Sequence, residues 1–279
     1  MKFSIVTVCL NVENEIENTI ESVLNQEFKN YEYIIIDGGS KDSTYDIVKS
    51  YQRKFSDIGV NYIISSEPDK GIYDAMNKGI DRAFGEWILF LNAGDTFYNG
   101  TILSKVSNEK LSEVDVVYGD TINKCSDYYR LSVSTGMGII SKGMPFCHQS
   151  AFIKTNLMKK MKYDLSYKIC ADYNFVYEAY LDNKKFMHIE LPISVFSVEG
   201  ISHSYKYFYL TKIETLKIRY LHNGIGFFTY HIFKFSAFLN KLLAIVKRFL
   251  LRLFRLKNRR ETFYLYDSNW VKGLDNISF

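Results

Sequence analysis

Trp87-Ile88-Leu89-Phe90-Leu91-Asn92-Ala93-Gly94-Asp95 is the stretch from which the rest of the chain is read. A largely apolar run from Trp87 to Asn92 predicts a strand buried on both faces, the kind found in the middle of a mostly parallel sheet. Small residues at 93 and 94 let the backbone turn tightly at the C-terminal end. Open α/β sheets bind ligands at that end. A carboxylate delivered there can hold a divalent ion, because Mg²⁺ and Mn²⁺ take oxygen ligands from one or two carboxylates plus a substrate's phosphates. The competing reading makes Asp95 the cap of a following helix.

Outward from this strand, the first 120 residues alternate strand and helix. Phe3 to Cys9 is a strand, and Asn11 is placed to cap a helix from Glu13 to Gln26 that carries Ile16, Ile20, Val23 and Leu24 on one face. Tyr33 to Asp37 is the next strand. Gly38-Gly39-Ser40-Lys41-Asp42-Ser43 then turns into a helix through about Phe55. Val60 to Ser65 is a strand, Glu67-Pro68-Asp69-Lys70-Gly71 a rigid polar loop, and Ile72 to Phe84 a helix. Val114 to Tyr118 is a short strand stopped by Gly119-Asp120. Alternation with short connections predicts an α/β fold, a doubly wound, mostly parallel sheet with its functional loops at one edge. Asp37, Asp95 and Asp120 all end strands, a recurrence that suggests a polar ligand site.

Beyond residue 120 the pattern loosens. Tyr128 to Ser134, Phe186 to Leu191 and Val195 to Val198 read as strands, with Pro192 as a break. Thr155 to Met161, Ala171 to Leu181 and Tyr205 to Tyr220 read as helices, with Asp172 in the first turn of the second. The expected division is 1–120, 121–204 and a helical extension over 205–279.

Charge is uneven. From Thr215 to Arg260 there are eleven Lys or Arg and no acid, leaving 24 basic against 31 acidic residues elsewhere. A body near −7 carrying a segment near +11 argues against a nucleic-acid binder whose main domain tracks phosphates. The four cysteines form no CxxC, which predicts free thiols rather than a disulfide framework or zinc site. Nothing resembles a serine or cysteine triad or a GxxxxGK[ST] phosphate loop.

Phe235 to Leu256 reads as one long helix. At the helical period, Lys234, Lys241, Arg248, Arg252, Arg255 and Arg259 fall within roughly 40° of one direction, and apolar residues cover most of the rest. A basic amphipathic helix of this kind suits an anionic membrane surface, here through residues 234–260, with about 1 kcal/mol per nearby cation. Packing against its own domain or a partner subunit is the competing reading. The longest charge-free run, Tyr220 to Phe233, is too short and too polar to span. The aromatic end, Phe263-Tyr264-Leu265-Tyr266 and Trp270, leaves a homo-oligomer contact open.

Four ordered motifs together resemble a known family. They are Ser4-Ile5-Val6-Thr7-Val8-Cys9-Leu10-Asn11; Ile35-Ile36-Asp37-Gly38-Gly39-Ser40-Lys41-Asp42-Ser43-Thr44; Ser66-Glu67-Pro68-Asp69-Lys70-Gly71-Ile72-Tyr73-Asp74-Ala75-Met76-Asn77-Lys78-Gly79; and Phe90-Leu91-Asn92-Ala93-Gly94-Asp95. The chain is similar over residues 1–200 to the inverting GT-A glycosyltransferases of family two, and within them to bacterial enzymes that extend exopolysaccharide, capsule or O-antigen units. The resemblance implies a GT-A fold, a UDP- or GDP-sugar donor, Mn²⁺ or Mg²⁺, and a lipid-linked glycan acceptor reached from the cytoplasmic face of the inner membrane. It places Thr7 and Asn11 beside the nucleotide and has Asp37 accept from a base N–H, where the residues alone leave Asp37 as a turn former. It sets Asp69 and Lys70 over the ribose and diphosphate, and makes Asp95 the metal ligand. Asn92 and Gly94 stand where carboxylates often do in the family. Asp172 matches the catalytic base, preceded by Ala171 where many members have Glu. His148, in Pro145-Phe146-Cys147-His148-Gln149-Ser150, matches a His-Gln near the active site. Asp74 and Asp120 are second-tier candidates.

Overall fold

The computed structural model describes residues 1–125, 128–197 and 205–253. Strands β1 (Phe3–Cys9), β2 (Tyr31–Asp37), β3 (Asn61–Ser66) and β4 (Trp87–Phe90) run parallel in the order β3-β2-β1-β4. The chain winds outward from β1 to β3 and then returns to the far side of β1 as β4. This reversal opens a crevice at the C-terminal ends of β1 and β4. Every residue of β1 and β2 is buried. Alternate side chains feed two separate cores, Val6, Val8, Ile34 and Ile36 on one face and Phe3, Ile5, Tyr33 and Ile35 on the other.

The sheet continues as mixed rather than parallel. With β5 (Thr96–Phe97), β6 (Val116–Lys124), β7 (Tyr129–Ser132), β8 (Ala151–Lys154) and β9 (Phe186–Ser197), its order becomes β3-β2-β1-β4-β8-β6-β9-β5, and β7 pairs with β6. β8 is antiparallel to both β4 and β6, whereas β9 is parallel to β6. The start of β8 therefore faces the same edge as the ends of β1, β2, β4 and β9.

Helices cover both faces. α1 (Ile16–Leu24), α2 (Thr44–Ser50), α3 (Gln52–Asp57) and α5 (Ile102–Ser107) contribute Ile20, Val48, Phe55 and Leu103 to one core. α4 (Ile72–Arg82), α6 (Thr155–Met161), α7 (Ala171–Leu181) and α8 (Tyr205–Leu221) contribute Met76, Met158, Phe175 and Ile218 to the other.

Several elements differ from the expectation. Asn11 is not a helix cap; it has φ 52, and α1 starts only at Ile16 after a turn in which Val12 accepts from Glu15 and Ile16. The helix expected through Phe55 is two, divided at Tyr51. β6 does not stop at Gly119, and β9 does not break at Pro192. Register shifts between Tyr118 and Thr121 put an irregularity opposite Pro192, where a missing backbone donor costs the ladder little. β5 and α5 were not anticipated.

The first compact unit runs from Met1 to Tyr230, so α8 belongs to it rather than to an extension beginning at 205. Ile218 of α8 is fully buried. The last helix, α9 (Phe227–Leu253), begins earlier than expected. Along it Phe228, Ile232, Phe235, Leu239, Leu243 and Val246 are exposed. Among the described residues no helix is long and apolar enough to cross a membrane. Arg255, Arg259 and the aromatic end lie outside the described residues.

Candidate active site

The ends of β1 and β2 are laced together by their loops. Asn11 donates its N–H to Ser40 Oγ and accepts from the Lys41 N–H at its Oδ1, both at 2.8 Å. Asp37 is fully buried and accepts from the Gly39 and Ser40 amides, the Ser40 hydroxyl and the Ser66 hydroxyl. Its carboxylate is thus the clasp of the Gly38–Ser40 turn. Asp69 lies across that turn, where any Cβ on Gly38 would collide with its carboxylate, and its Oδ1 accepts the Gly71 N–H at 2.9 Å. Lys70 is exposed beside it, with its N–H on Asp74. Asn11, Asp37, Asp69 and Lys70 therefore share one rim. Thr7 does not reach it: its hydroxyl is buried, donating to the Leu91 carbonyl at 2.6 Å and lying 2.9 Å from the Tyr33 hydroxyl. A β1 side chain so close to the strand end still points into the layer, because alternate residues face opposite sides.

At the end of β4 the chain turns on Gly94, at φ 95, and the Asp95 N–H donates to the Asn92 carbonyl. Thr19 of α1 braces this turn, donating to the Asp95 carbonyl at 2.8 Å and accepting from Gly94 at 3.0 Å. The Asp95 carboxylate, 4% exposed, accepts the Ser197 N–H at 3.0 Å and the Gln149 side-chain amide at 3.1 Å. The ends of β4 and β9 and the start of β8 meet there. Burial pushes the carboxyl up to about 7, against the opposing pull of the Ser197 amide, His148 and Gln149, while Glu15 adds to the rise.

Asn92 Oδ1, three residues before Asp95, is a buried acceptor with no hydrogen-bond partner. One orphaned oxygen and one carboxylate held against its solvation preference make a hard-donor set that fits Mg²⁺ or Mn²⁺. No cluster of three or more His, Cys, Asp or Glu that could hold a metal occurs among the described residues.

Asp172 occupies the first turn of α7, where amide dipoles favour its charge. His148 Nδ1 lies 3.1 Å from its Oδ2, and the Tyr73 hydroxyl from α4 lies 3.0 Å from its Oδ1. The same hydroxyl lies against the Ile169 carbonyl, so its single proton is shared between the carbonyl and the carboxylate. Burial alone would raise the Asp172 carboxyl. The hydrogen bond and charge of His148, with the Tyr173 amide and Tyr73, bring it instead below the usual carboxylate range. His148 thus bonds one acid and acts electrostatically on the other, while its buried Nε2 is left without a partner.

Gln149 and Tyr73 contact the two acids, and neither was singled out as a site residue, though both lie in the quoted motifs. The signals were adjacency to His148 for Gln149 and a place just after the Asp69–Gly71 loop for Tyr73. Asp120 pairs with His188 at 3.1 Å and with the Ser134 amide, and Asp74 lies 3.6 Å from Lys78. Neither touches Asp95 or Asp172 in the described contacts.

A three-layer α/β/α sheet with acids gathered at its reversal point is an α/β ligand-binding architecture, and comparison with known proteins gives the family. Residues 4–184 match the model of Glycosyl transferase family 2, and the chain belongs to that family. The PGL/p-HBAD biosynthesis glycosyltransferase of Mycobacterium tuberculosis is 33% identical over 176 residues, 62% of this chain and 67% of that protein. The putative teichuronic acid biosynthesis glycosyltransferase TuaG of Bacillus subtilis is 37% identical over 92 residues, 33% of this chain and 35% of that one. In fold, the chain is similar to S. aureus TarS in complex with UDP-GlcNAc, with a TM-score of 0.63, 21% identity, and 78% of this chain covering 66% of that one. Against another crystal structure of S. aureus TarS, the match covers 39% of that chain. The mannosyltransferase PcManGT from Pyrobaculum calidifontis, in complex with GDP-Man and Mn²⁺, gives a TM-score of 0.61 at 14% identity, with 78% and 62% covered.

Proposed function

We propose that this family 2 glycosyltransferase moves a sugar, with inversion, from a UDP- or GDP-sugar to a hydroxyl of a lipid-linked glycan during cell-surface glycoconjugate synthesis. The observation that carries the reading is Asp172, a partly buried carboxylate in the first turn of α7 with His148 Nδ1 3.1 Å from its Oδ2, beside the edge where Asp95 follows β4. An ionised carboxylate within reach of the acceptor hydroxyl takes its proton as the oxygen attacks the anomeric carbon from the face opposite the leaving nucleotide. His148 holds that carboxylate in place and offers its free Nε2 to the substrate. Asp95 and Asn92 would hold Mn²⁺ or Mg²⁺ against the diphosphate, and the bound ion neutralises charge gathering on the leaving group. Asn11, Asp37, Asp69 and Lys70 form the donor rim, with the Lys70 ammonium available to phosphate.

The names of the relatives, PGL/p-HBAD and teichuronic acid biosynthesis, support a cell-surface glycoconjugate as product. The exposed apolar residues of α9 and its lysines support peripheral attachment to an anionic membrane at the cytoplasmic face of the inner membrane. The deciding experiment is sugar transfer by purified protein from a panel of UDP- and GDP-sugars to a lipid extract of the source cells. It is run with Mn²⁺, with Mg²⁺ and with chelator, beside Asp172→Asn. Transfer by wild type that disappears in the variant, with nucleotide binding intact, is the expected result. A chain that binds none of the nucleotides would be a docking scaffold instead, and the proposal would fall.

A further inference from the structure

Glu214 of α8 has no role in the site described so far, yet it is 6% exposed and carries no ion pair among the described contacts. Its carboxylate faces three consecutive backbone amides instead. Oε1 accepts from Lys168 at 2.9 Å, and Oε2 accepts from Ile169 at 2.9 Å and Cys170 at 3.0 Å. Cys170 is the N-cap of α7, and Asp172 is two residues further on. The positive end of the α7 dipole adds to the field that holds the carboxylate. Cys170 is held a second time by α8, its thiol 3.7 Å from the Thr211 carbonyl and from the Thr215 hydroxyl.

The other side of the same short segment is held by the site itself. The Ile169 carbonyl accepts the hydroxyl of Tyr73, which also reaches Asp172. Residues 168–170 are thus gripped through their N–H groups by Glu214 and through a carbonyl by Tyr73, immediately before the helix that presents the base. Buried amides left without an acceptor are costly, so loss of the Glu214 carboxylate forces this segment to rearrange. Asp172 is attached to it.

We propose that Glu214 is a positioning residue for Asp172, setting the backbone from which the base reaches the acceptor hydroxyl. The role rests on the reading of Asp172 as the base. It makes α8, which lies beyond the region matched by the family model, part of the catalytic machinery. A base displaced by about 1 Å can lose on the order of 100-fold in rate, while a donor rim built on β1, β2 and the 69–71 loop is left untouched.

The test uses the full chain with Glu214→Gln, Glu214→Asp and Asp172→Asn. UDP and GDP affinity, donor KM, and kcat per nucleotide-binding site are measured for each. Glu214→Gln is expected to lower kcat about 30-fold or more with donor affinity and KM within about twofold of wild type, and Glu214→Asp, which keeps the charge, to fall between. A Glu214→Gln kcat within about threefold of wild type, or donor affinity falling in step with kcat, would overturn the proposal. If Glu214→Gln fails to fold, the same two criteria are read from Glu214→Asp. Asp172→Asn separates the two readings. Activity retained there removes the base assignment itself, whereas an inactive Asp172→Asn beside a fully active Glu214 variant removes only the role of Glu214.

Discussion

Asp95, buried, and Asp172, partly buried, lie at one edge of one sheet, and their surroundings drive them in opposite directions. Asp95 receives only neutral donors, an amide from β9 and an amide from Gln149, and its carboxyl rises to about 7. Asp172 has an imidazole on one oxygen and a phenol near the other, and its carboxyl falls below the ordinary range. The difference lies in the counter-charge. Asp172 has its partner within the fold, whereas on the proposed reading Asp95 meets its own only when a metal ion binds. A base must be ionised before its substrate comes; a cation ligand need be ionised only with the cation.

Replacing Asp172 by Asn should bring the largest change. Loss of a general base costs about 10²- to 10⁴-fold in kcat with little change in donor affinity, read by steady-state kinetics beside nucleotide binding. Asp95→Asn should lower kcat by about 100-fold and raise the divalent-ion concentration needed for half-maximal activity. It should also stabilise the metal-free protein at pH 8. Folded Asp95 keeps its proton up to about 7 against an ordinary value of 3.8, so the native state binds more protons across that window and loses stability as pH rises through it. The melting temperatures of variant and wild type should converge below the lower value, and equal melting temperatures at pH 8 would show that ionising Asp95 costs the fold nothing, so that its carboxyl is not raised.

His148→Asn tests the link between the two acids. Without the imidazole the burial of Asp172 is less opposed, so the acid limb of the kcat–pH profile should move to higher pH and kcat should fall about 10- to 100-fold. An unmoved limb would detach His148 from the base. Tyr73→Phe should have the smallest effect, about 3- to 10-fold in kcat, since His148 still holds the other oxygen.

The sheet's parallel half was the more readable one. β1, β2 and β4 are short apolar runs bounded by Gly, Asn or Asp, and burial on both faces leaves such runs little other structure to adopt. Asp172 was readable too, because a helix announces its own first turn. What joins the halves was not. Nothing in Ala151-Phe152-Ile153 tells that β8 runs backwards, and that reversal is what carries His148 and Gln149 to Asp172 and Asp95. The pairs Tyr73–Asp172 and Cys170–Glu214 span 99 and 44 residues, far beyond any local period. Pro192 misled for a related reason: whether a strand tolerates proline depends on the neighbour's register, which the strand's own residues do not contain.

One helix also limits how this molecule can move. On α4, Tyr73, Asn77 and Asp81 recur every four residues, and so lie on one face. Tyr73 reaches Ile169 and Asp172, Asn77 exchanges hydrogen bonds with the Tyr163 backbone at 2.9 Å both ways, and Asp81 pairs with Lys162 at 2.7 Å. Met76 and Ile80 of the same helix pack into the core beneath. Three polar rungs and a shared core tie residues 1–120 to residues 121–204 along the helix. Closure over a bound nucleotide would then fall to loops, the 67–71 segment at the head of α4 being the nearest, and spin labels placed one on each side of the helix should keep their separation when a nucleotide binds.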